Sequence, residues 1–319
     1  MKKRILTGLQ PSGTLHIGNY FGALKPLVEL ASDEANDTYL MVADYHALTS
    51  VRDGKALREN IYGIVKDYIA AGVDPEKVTL FRQSDNPHHM ELGWVLNCMV
   101  TVPFLMQAHS YKDKVAKGLE PNAGLFTYPM LMAADIVLYD TDFVPVGEDQ
   151  RQHLEYTREA VTKFNNAYGK VLKEPKEMII EGQGVFPGTD GQKMSKSYKN
   201  TIPLFGTTEE IHKAVMSIVT DSSGERPEHV YNIHKVIYRA LGRNMTDLNA
   251  LYEEHKGKYK ILKDTLAADI DLVVEPMREK RASISDNDVK KILAAGTEKA
   301  VAEAAKKMVV VRKAIGISL

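Results

Sequence analysis

Two short stretches combine residue types suited to handling phosphate. The first, Gln10-Pro11-Ser12-Gly13-Thr14-Leu15-His16-Ile17-Gly18-Asn19, places an imidazole, glycines and small polar side chains in a turn after an apolar run. The second, Gly188-Thr189-Asp190-Gly191-Gln192-Lys193-Met194-Ser195-Lys196-Ser197, alternates two lysines with two serines behind a glycine-bracketed acidic turn. Glycine permits positive φ and close backbone approach to a ligand. Lysine is a mobile point charge for phosphate oxygens, and serine adds donors without bulk. Either stretch alone is a weak signal, because most Lys/Ser clusters are solvated loops. Neither fits Gly-x-Gly-x-x-Gly or Gly-x-x-x-x-Gly-Lys-Ser/Thr, which argues against an ordinary dehydrogenase or P-loop enzyme.

A third candidate is Asp135, the single charge in the apolar segment Tyr128-Pro129-Met130-Leu131-Met132-Ala133-Ala134-Asp135-Ile136-Val137-Leu138-Tyr139. A buried carboxylate is costly unless paired or hydrogen-bonded. A structural salt bridge and a ligand contact both meet that need. Cys98 lies in an apolar run, where a buried inert thiol is expected. His88-His89 has no metal-ligand company and is expected at the surface.

The elements around these residues read as alternating strands and helices. Residues 4–9 form an apolar first strand that leads into the His16 turn and a helical pattern that Pro26 is expected to shorten or kink. Residues 38–44 form a central strand closed by Asp44, with His46 just beyond its carboxyl end. A helix over 53–71, a strand over 78–81 and a helix over 87–100 follow. Residues 106–126 look irregular, 128–139 a buried helix, 143–146 a short strand, and Gly147 opens a helix to about residue 166. This alternation predicts an α/β fold, a doubly wound parallel sheet of Rossmann-like type. Beyond residue 197 the pattern is helical throughout, over 208–219, 228–241, 246–255, 259–281 and 285–315. The expected domains are therefore 1–197, α/β, and 198–319, α-helical, with the last helix free to pack back on the first domain. Lys256, Lys258, Lys260, Lys263, Arg278, Lys280 and Arg281 make the helical part locally basic, between a solvated face and a nucleic-acid surface.

Composition narrows the classes. The 319 residues are 44% hydrophobic and 26% charged, with a formal net charge of −1, values of a globular protein that is not uniformly basic. One cysteine excludes a disulfide framework and any four-cysteine metal site. No stretch approaches a membrane span and no signal peptide is visible, so a cytoplasmic protein is expected.

Taken together, His16-Ile17-Gly18-Asn19 and Lys193-Met194-Ser195-Lys196-Ser197, in that order, make the chain resemble the class I aminoacyl-tRNA synthetases. Within them it resembles the bacterial tryptophanyl-tRNA synthetases over essentially its whole length. The distinctive pieces are Thr7-Gly8-Leu9-Gln10-Pro11-Ser12-Gly13, Leu131-Met132-Ala133-Ala134-Asp135-Ile136, Val144-Pro145-Val146-Gly147-Glu148-Asp149-Gln150 and Val219-Thr220-Asp221-Ser222. The resemblance implies activation of L-tryptophan by ATP with Mg²⁺, followed by transfer to tRNA(Trp), in a homodimer with no membrane association and no metal held by the protein. It assigns catalysis to His16, Lys193 and Lys196. ATP binding falls to Gln10, Pro11, Ser12, Gly18, Asn19, Gly147, Glu148, Asp149, Val185, Lys193, Met194, Ser195, Lys196 and Ser197. For tryptophan it implies Asp135 as indole N–H acceptor, apolar walls from Met132, Ile136, Val144 and Val146, and His46 with Gln150 near the amino acid's polar end. It also makes 198–319 the anticodon-binding domain. A tyrosyl-tRNA synthetase and a non-catalytic tRNA- or nucleotide-binding paralogue are the alternatives.

Overall fold

The computed structural model describes residues 2–116, 118, 121–147, 151–179, 186–220 and 226–318. Among them, β1 (Lys3–Leu9), β2 (Asn36–Val42), β3 (Thr79–Arg82), β4 (Phe143–Pro145) and β5 (Lys176–Met178) form one parallel sheet in the order β3-β2-β1-β4-β5. The first half carries α1 (Ile17–Asn19), α2 (Lys25–Ser32), α3 (Asp44–Ala47), α4 (Gly54–Ala70), α5 (His88–Asn97), α6 (Val102–Leu105), α7 (His109–Ala116), α8 (Ala123–Val137) and α9 (Arg151–Tyr168). The second half carries α10 (Thr208–Met216), α11 (Glu228–Ala240), α12 (Met245–Glu254), α13 (Tyr259–Ser283) and α14 (Asp286–Ala314). The expected doubly wound α/β architecture is present.

Strand alternation divides the interior in two. Leu40, Val42 and Leu80 face one apolar cluster, and Leu6, Tyr39, Met41 and Phe81 face the other. Both faces are covered, which explains why β2 reads as a nearly unbroken apolar run. The first cluster continues through Ile202, Leu204 and Ile211 into Ile233, Leu266 and Ile270, so the helical half shares its core with one sheet face. Helix α4 shows how such elements form: Asp53 caps it by accepting from the Lys55 and Ala56 amides, and Ile61, Ile64, Val65 and Tyr68 make its buried stripe.

Helix α14 crosses the edge strand β3. A Cβ at Gly296 would stand 1.8 Å from the Leu80 carbonyl oxygen, so only glycine fits the crossing. On one side of that point Val289 and Leu293 enter the first cluster; on the other, Ala300, Ala304, Met308 and Val311 enter the second. The helix thereby covers a sheet edge that would otherwise be open to pairing. Arg312 fixes its far end on Glu91, with nitrogen–oxygen distances of 2.6 and 2.5 Å.

Several expectations need correction. Residues 106–126 are not irregular throughout: they contain α7 and the start of α8. Strand β5 is too short and polar (Lys176, Glu177, Met178) to show in the pattern. Pro26 does not end the helical run, which continues from residue 17 to Ser32; a π-helical turn over Tyr20–Leu24 directly precedes α2. Cys98 is exposed rather than buried, at the end of α5. His89 is buried rather than superficial. No helix among the described residues is long and apolar enough to cross a membrane.

Candidate active site

A cavity of about 760 Å³ opens at the carboxyl ends of β1 and β4, with Leu6 to Gln10 on one wall and Val144 to Gly147 on the other. These neighbouring strands flank the point where strand order reverses, the usual ligand crevice of such sheets. One end is polar and cationic, the other mainly apolar.

The cationic end brings both phosphate-type stretches together. The Ile17 amide donates to the Ile202 carbonyl at 3.0 Å and the Leu204 amide to the Leu15 carbonyl at 3.1 Å. The 188–197 loop is organised by Asn200, buried at 2% exposure, which sequence reading missed. Its Oδ1 accepts from the Ser195 amide at 2.7 Å, and its Nδ2 donates to Asp190 Oδ1 at 2.7 Å and to the Lys193 carbonyl at 3.1 Å. Gly191, at φ +82, lies where a Cβ would strike the His229 ring of α11. Lys196 Nζ donates to the Ser12 carbonyl at 3.1 Å, joining the two stretches directly. Desolvation holds its ammonium below the usual lysine range, against the pull of Asp67. Asp67 itself is raised by burial, which its 2.5 Å contact with Arg281 only partly offsets.

His16 caps α1. Its Nδ1 accepts from the Asn19 amide at 3.2 Å, while Asn19 Oδ1 accepts from the His16 amide at 3.1 Å. Burial, then the Lys196 charge, lowers its pKa to about 4. At neutral pH the ring is therefore uncharged, with its proton on Nε2 as a donor.

The apolar end is closed by Met132, Ile136, Val144 and Val146, with Tyr128 and His46 beside Asp135. Asp135 is 2% exposed and is held by three side chains. His46 Nε2 donates to Oδ2 at 2.7 Å, His89 Nδ1 to Oδ1 at 2.7 Å, and Gln83 Nε2 straddles both oxygens at 2.9 and 3.0 Å. Burial alone would raise the Asp135 pKa; the hydrogen bonds from His46 and His89 outweigh it and hold the carboxyl below its usual range. The structural pairing and the cavity position, open alternatives on sequence, hold at once.

Most expected residues meet here. Gln10, His16, Gly18, Asn19, Gly147, Lys193 and Met194 line the cavity, as do His46, Met132, Asp135, Ile136, Val144 and Val146. Lys196, Ser12 and Pro11 are not among the lining residues; Lys196 and Ser12 meet each other beside the cavity, with Pro11 adjacent in the chain. The Ser195 and Ser197 hydroxyls bond each other at 2.8 Å. Glu148, Asp149, Gln150 and Val185 lie outside the described residues, as do Asp221 and Ser222. His46, expected at the amino acid's polar end, lines the cavity and also bonds Asp135. Gln83 and Asn86 carry no sequence expectation, Tyr139 is expected only as part of the buried helix, and His89 is expected at the surface. The polar run after β3, at a strand's carboxyl end, was the available signal. Among the described residues no cluster of three His, Cys, Asp or Glu side chains could hold a metal ion.

The family described as tRNA synthetases class I (W and Y) matches residues 1–294. A tryptophan–tRNA ligase of Fusobacterium nucleatum subsp. nucleatum is 47% identical over 322 residues, covering 99% of this chain and 98% of that protein. A crystal structure of tryptophanyl-tRNA synthetase from Campylobacter jejuni, complexed with ADP and tryptophan, superposes with a TM-score of 0.91 at 41% identity, covering 98% of this chain and 99% of that one. A tyrosyl-tRNA synthetase from Archaeoglobus fulgidus shares the fold, with a TM-score of 0.65 at 22% identity over 88% of this chain and 90% of that one. Near-complete coverage, a matched pair of phosphate-type motifs and their convergence on one cavity lead to one assignment: the chain belongs to the tRNA synthetases class I (W and Y).

Proposed function

We propose that this chain is a tryptophan–tRNA ligase, acting in the cytoplasm on L-tryptophan, ATP and tRNA(Trp). One observation carries the substrate choice: a buried carboxylate, Asp135, at the apolar end of a cavity whose other end holds His16 and Lys193, with the Lys196 charge acting on His16 from beside it. An indole N–H is a donor only, and Asp135 supplies acceptors only. A phenol needs both kinds of partner. On binding, the indole N–H takes one Asp135 oxygen and leaves the straddling Gln83 amide on the other. Met132, Ile136, Val144 and Val146 pack on the ring, with Gln150 toward the amino acid's polar end.

In the first step the tryptophan carboxylate attacks the α-phosphorus of ATP, and the bond to the bridging oxygen of pyrophosphate breaks. The carboxylate is already a nucleophile and needs no general base. Catalysis then rests on positioning and on stabilising charge at the leaving phosphates. His16 donates through Nε2, and Lys193 and Lys196 follow the pyrophosphate oxygens as they separate. Gln10, Pro11, Ser12, Gly18, Asn19, Met194, Ser195 and Ser197 hold the nucleotide, with Gly147, Glu148, Asp149 and Val185 on its adenosine side. ATP enters as its magnesium complex. In the second step a terminal ribose hydroxyl of the tRNA takes the acyl group and AMP leaves.

The helical part, 198–319, is assigned to the anticodon. Met90, Trp94, Cys98, Val102 and Met106 form an exposed, largely apolar face on α5 and α6 that a second copy of the chain would cover. Amino-acid-dependent ATP–pyrophosphate exchange, run with each of the common amino acids, tests the activity and the substrate together. Exchange with tryptophan alone is expected. Exchange with tyrosine instead, or tRNA binding without exchange, would overturn the reading.

A further inference from the structure

His89 is wholly buried, does not line the cavity and takes no part in the mechanism above. It nevertheless makes two side-chain hydrogen bonds: Nδ1 to Asp135 Oδ1 at 2.7 Å, and Nε2 to the Tyr139 hydroxyl at 2.8 Å. The direction of each bond follows from what lies behind it. The His88 amide donates to Asn86 Oδ1 at 3.2 Å, so the Asn86 amide must present Nδ2 to the Tyr139 oxygen, 3.0 Å away. Having accepted that bond, the Tyr139 hydroxyl directs its one proton to His89 Nε2. A ring that accepts at Nε2 carries its proton on Nδ1. Burial raises the Tyr139 pKa, so the hydroxyl keeps that proton. His46, the other ring on Asp135, has no such backing among the described residues: its buried Nδ1 has no hydrogen-bond partner there. Gln83 has it, because its Oε1 accepts from the Tyr45 amide at 3.1 Å.

We propose that His89 is a specificity-determining positioning residue, whose proton Asn86 and Tyr139 set on Nδ1 so that Asp135 is presented to the cavity as an acceptor-only anion. The proposal rests on the assignment of Asp135 as the indole N–H acceptor. A carboxylate held this way cannot turn to meet a ligand that lacks the donor, so the mismatch leaves one of its acceptor positions facing the ligand unmatched.

Kinetics of ATP–pyrophosphate exchange by the full-length protein, with tryptophan and with phenylalanine, test it. His89→Leu is expected to raise the KM for tryptophan about 10–100-fold, the range for a lost hydrogen bond to a charged group. It narrows the preference over phenylalanine and leaves the KM for ATP unchanged. His89→Asn, whose amide N–H falls near the lost Nδ1–H, recovers most of that loss. Tyr139→Phe frees the tautomer without emptying the core and raises the KM for tryptophan about 3–10-fold. Should His89→Leu not fold, Tyr139→Phe and His89→Asn decide the matter. An unchanged tryptophan KM in Tyr139→Phe, or parallel losses for tryptophan and ATP, overturns the proposal. Asp135→Asn separates the two levels. If it abolishes discrimination while His89→Leu keeps it, the role of His89 fails alone; if discrimination survives both, the assignment of Asp135 has failed.

Discussion

At the Asp135 end of the cavity the carboxylate is gripped by His46, Gln83 and His89, all at or below 4% exposure. At the other end Lys193 and Lys196 stand exposed, and Lys196 rests on the Ser12 carbonyl. The difference follows from what each end must recognise. A ring N–H is a fixed donor at a fixed place, and discrimination grows when a dry, rigid acceptor makes its absence costly. Charge on a departing pyrophosphate moves, so long flexible side chains carrying point charges suit it better. Rigidity and mobility are divided between two ends of a single cavity.

That contrast can be broken by substitution. Lys196→Ala is expected to lower exchange activity about 10²–10³-fold, the cost of one preorganised charge-stabilising donor, with the KM for tryptophan unchanged. Exchange at the wild-type rate would remove Lys196 from the chemistry. Asp135→Ala is the mirror case: the KM for tryptophan rises about 10–100-fold. Competition assays should show eroded selectivity over phenylalanine, and intact selectivity would end the indole assignment. A smaller effect sharpens the picture of the mobile end. Asn200→Ala removes the partner of the Ser195 amide, and denaturant titration is expected to show a loss of about 1–2 kcal/mol together with a raised KM for ATP. If both parameters stay put, the loop draws its shape from elsewhere.

The smallest expected effect concerns His16. Its folded pKa of about 4 lies below the ordinary 6.5, so between those values the unfolded chain binds the proton more readily. The contribution of a neutral His16 to stability is complete above pH 6.5 and is lost as pH falls toward 4. NMR titration should place its midpoint near 4, and a midpoint near 6.5 would mean that the buried, Lys196-facing ring geometry is wrong.

Legibility in the sequence tracked the distance over which partners act. Residues 10–19 and 188–197 are contiguous motifs whose side-chain types declare their chemistry, and Asp135 stood out as one charge in an apolar helix. The grip on Asp135 did not stand out, because His46, Gln83 and His89 lie 89, 52 and 46 residues away from it. His89 is wholly buried while its neighbour His88 is only partly so, because adjacent residues on a helix face different directions. Asn200 passed as a loop residue, although its side chain folds back on positions five to ten residues earlier. Strand β5 was missed for a related reason: it gains its hydrogen bonds from β4, not from any periodicity of its own.

Local pattern was enough to establish alternating strands and helices, two phosphate-type turns and an isolated apolar-segment carboxylate, since each depends on neighbours within a few residues. It also sufficed for a long final helix. That the helix crosses β3 at Gly296 and enters both sides of the core follows from a close backbone approach that no periodicity encodes. The same holds for the choice between a structural and a ligand-facing Asp135. The folded chain makes it both, because three elements distant in sequence deliver N–H donors to one buried carboxylate at the mouth of the sheet.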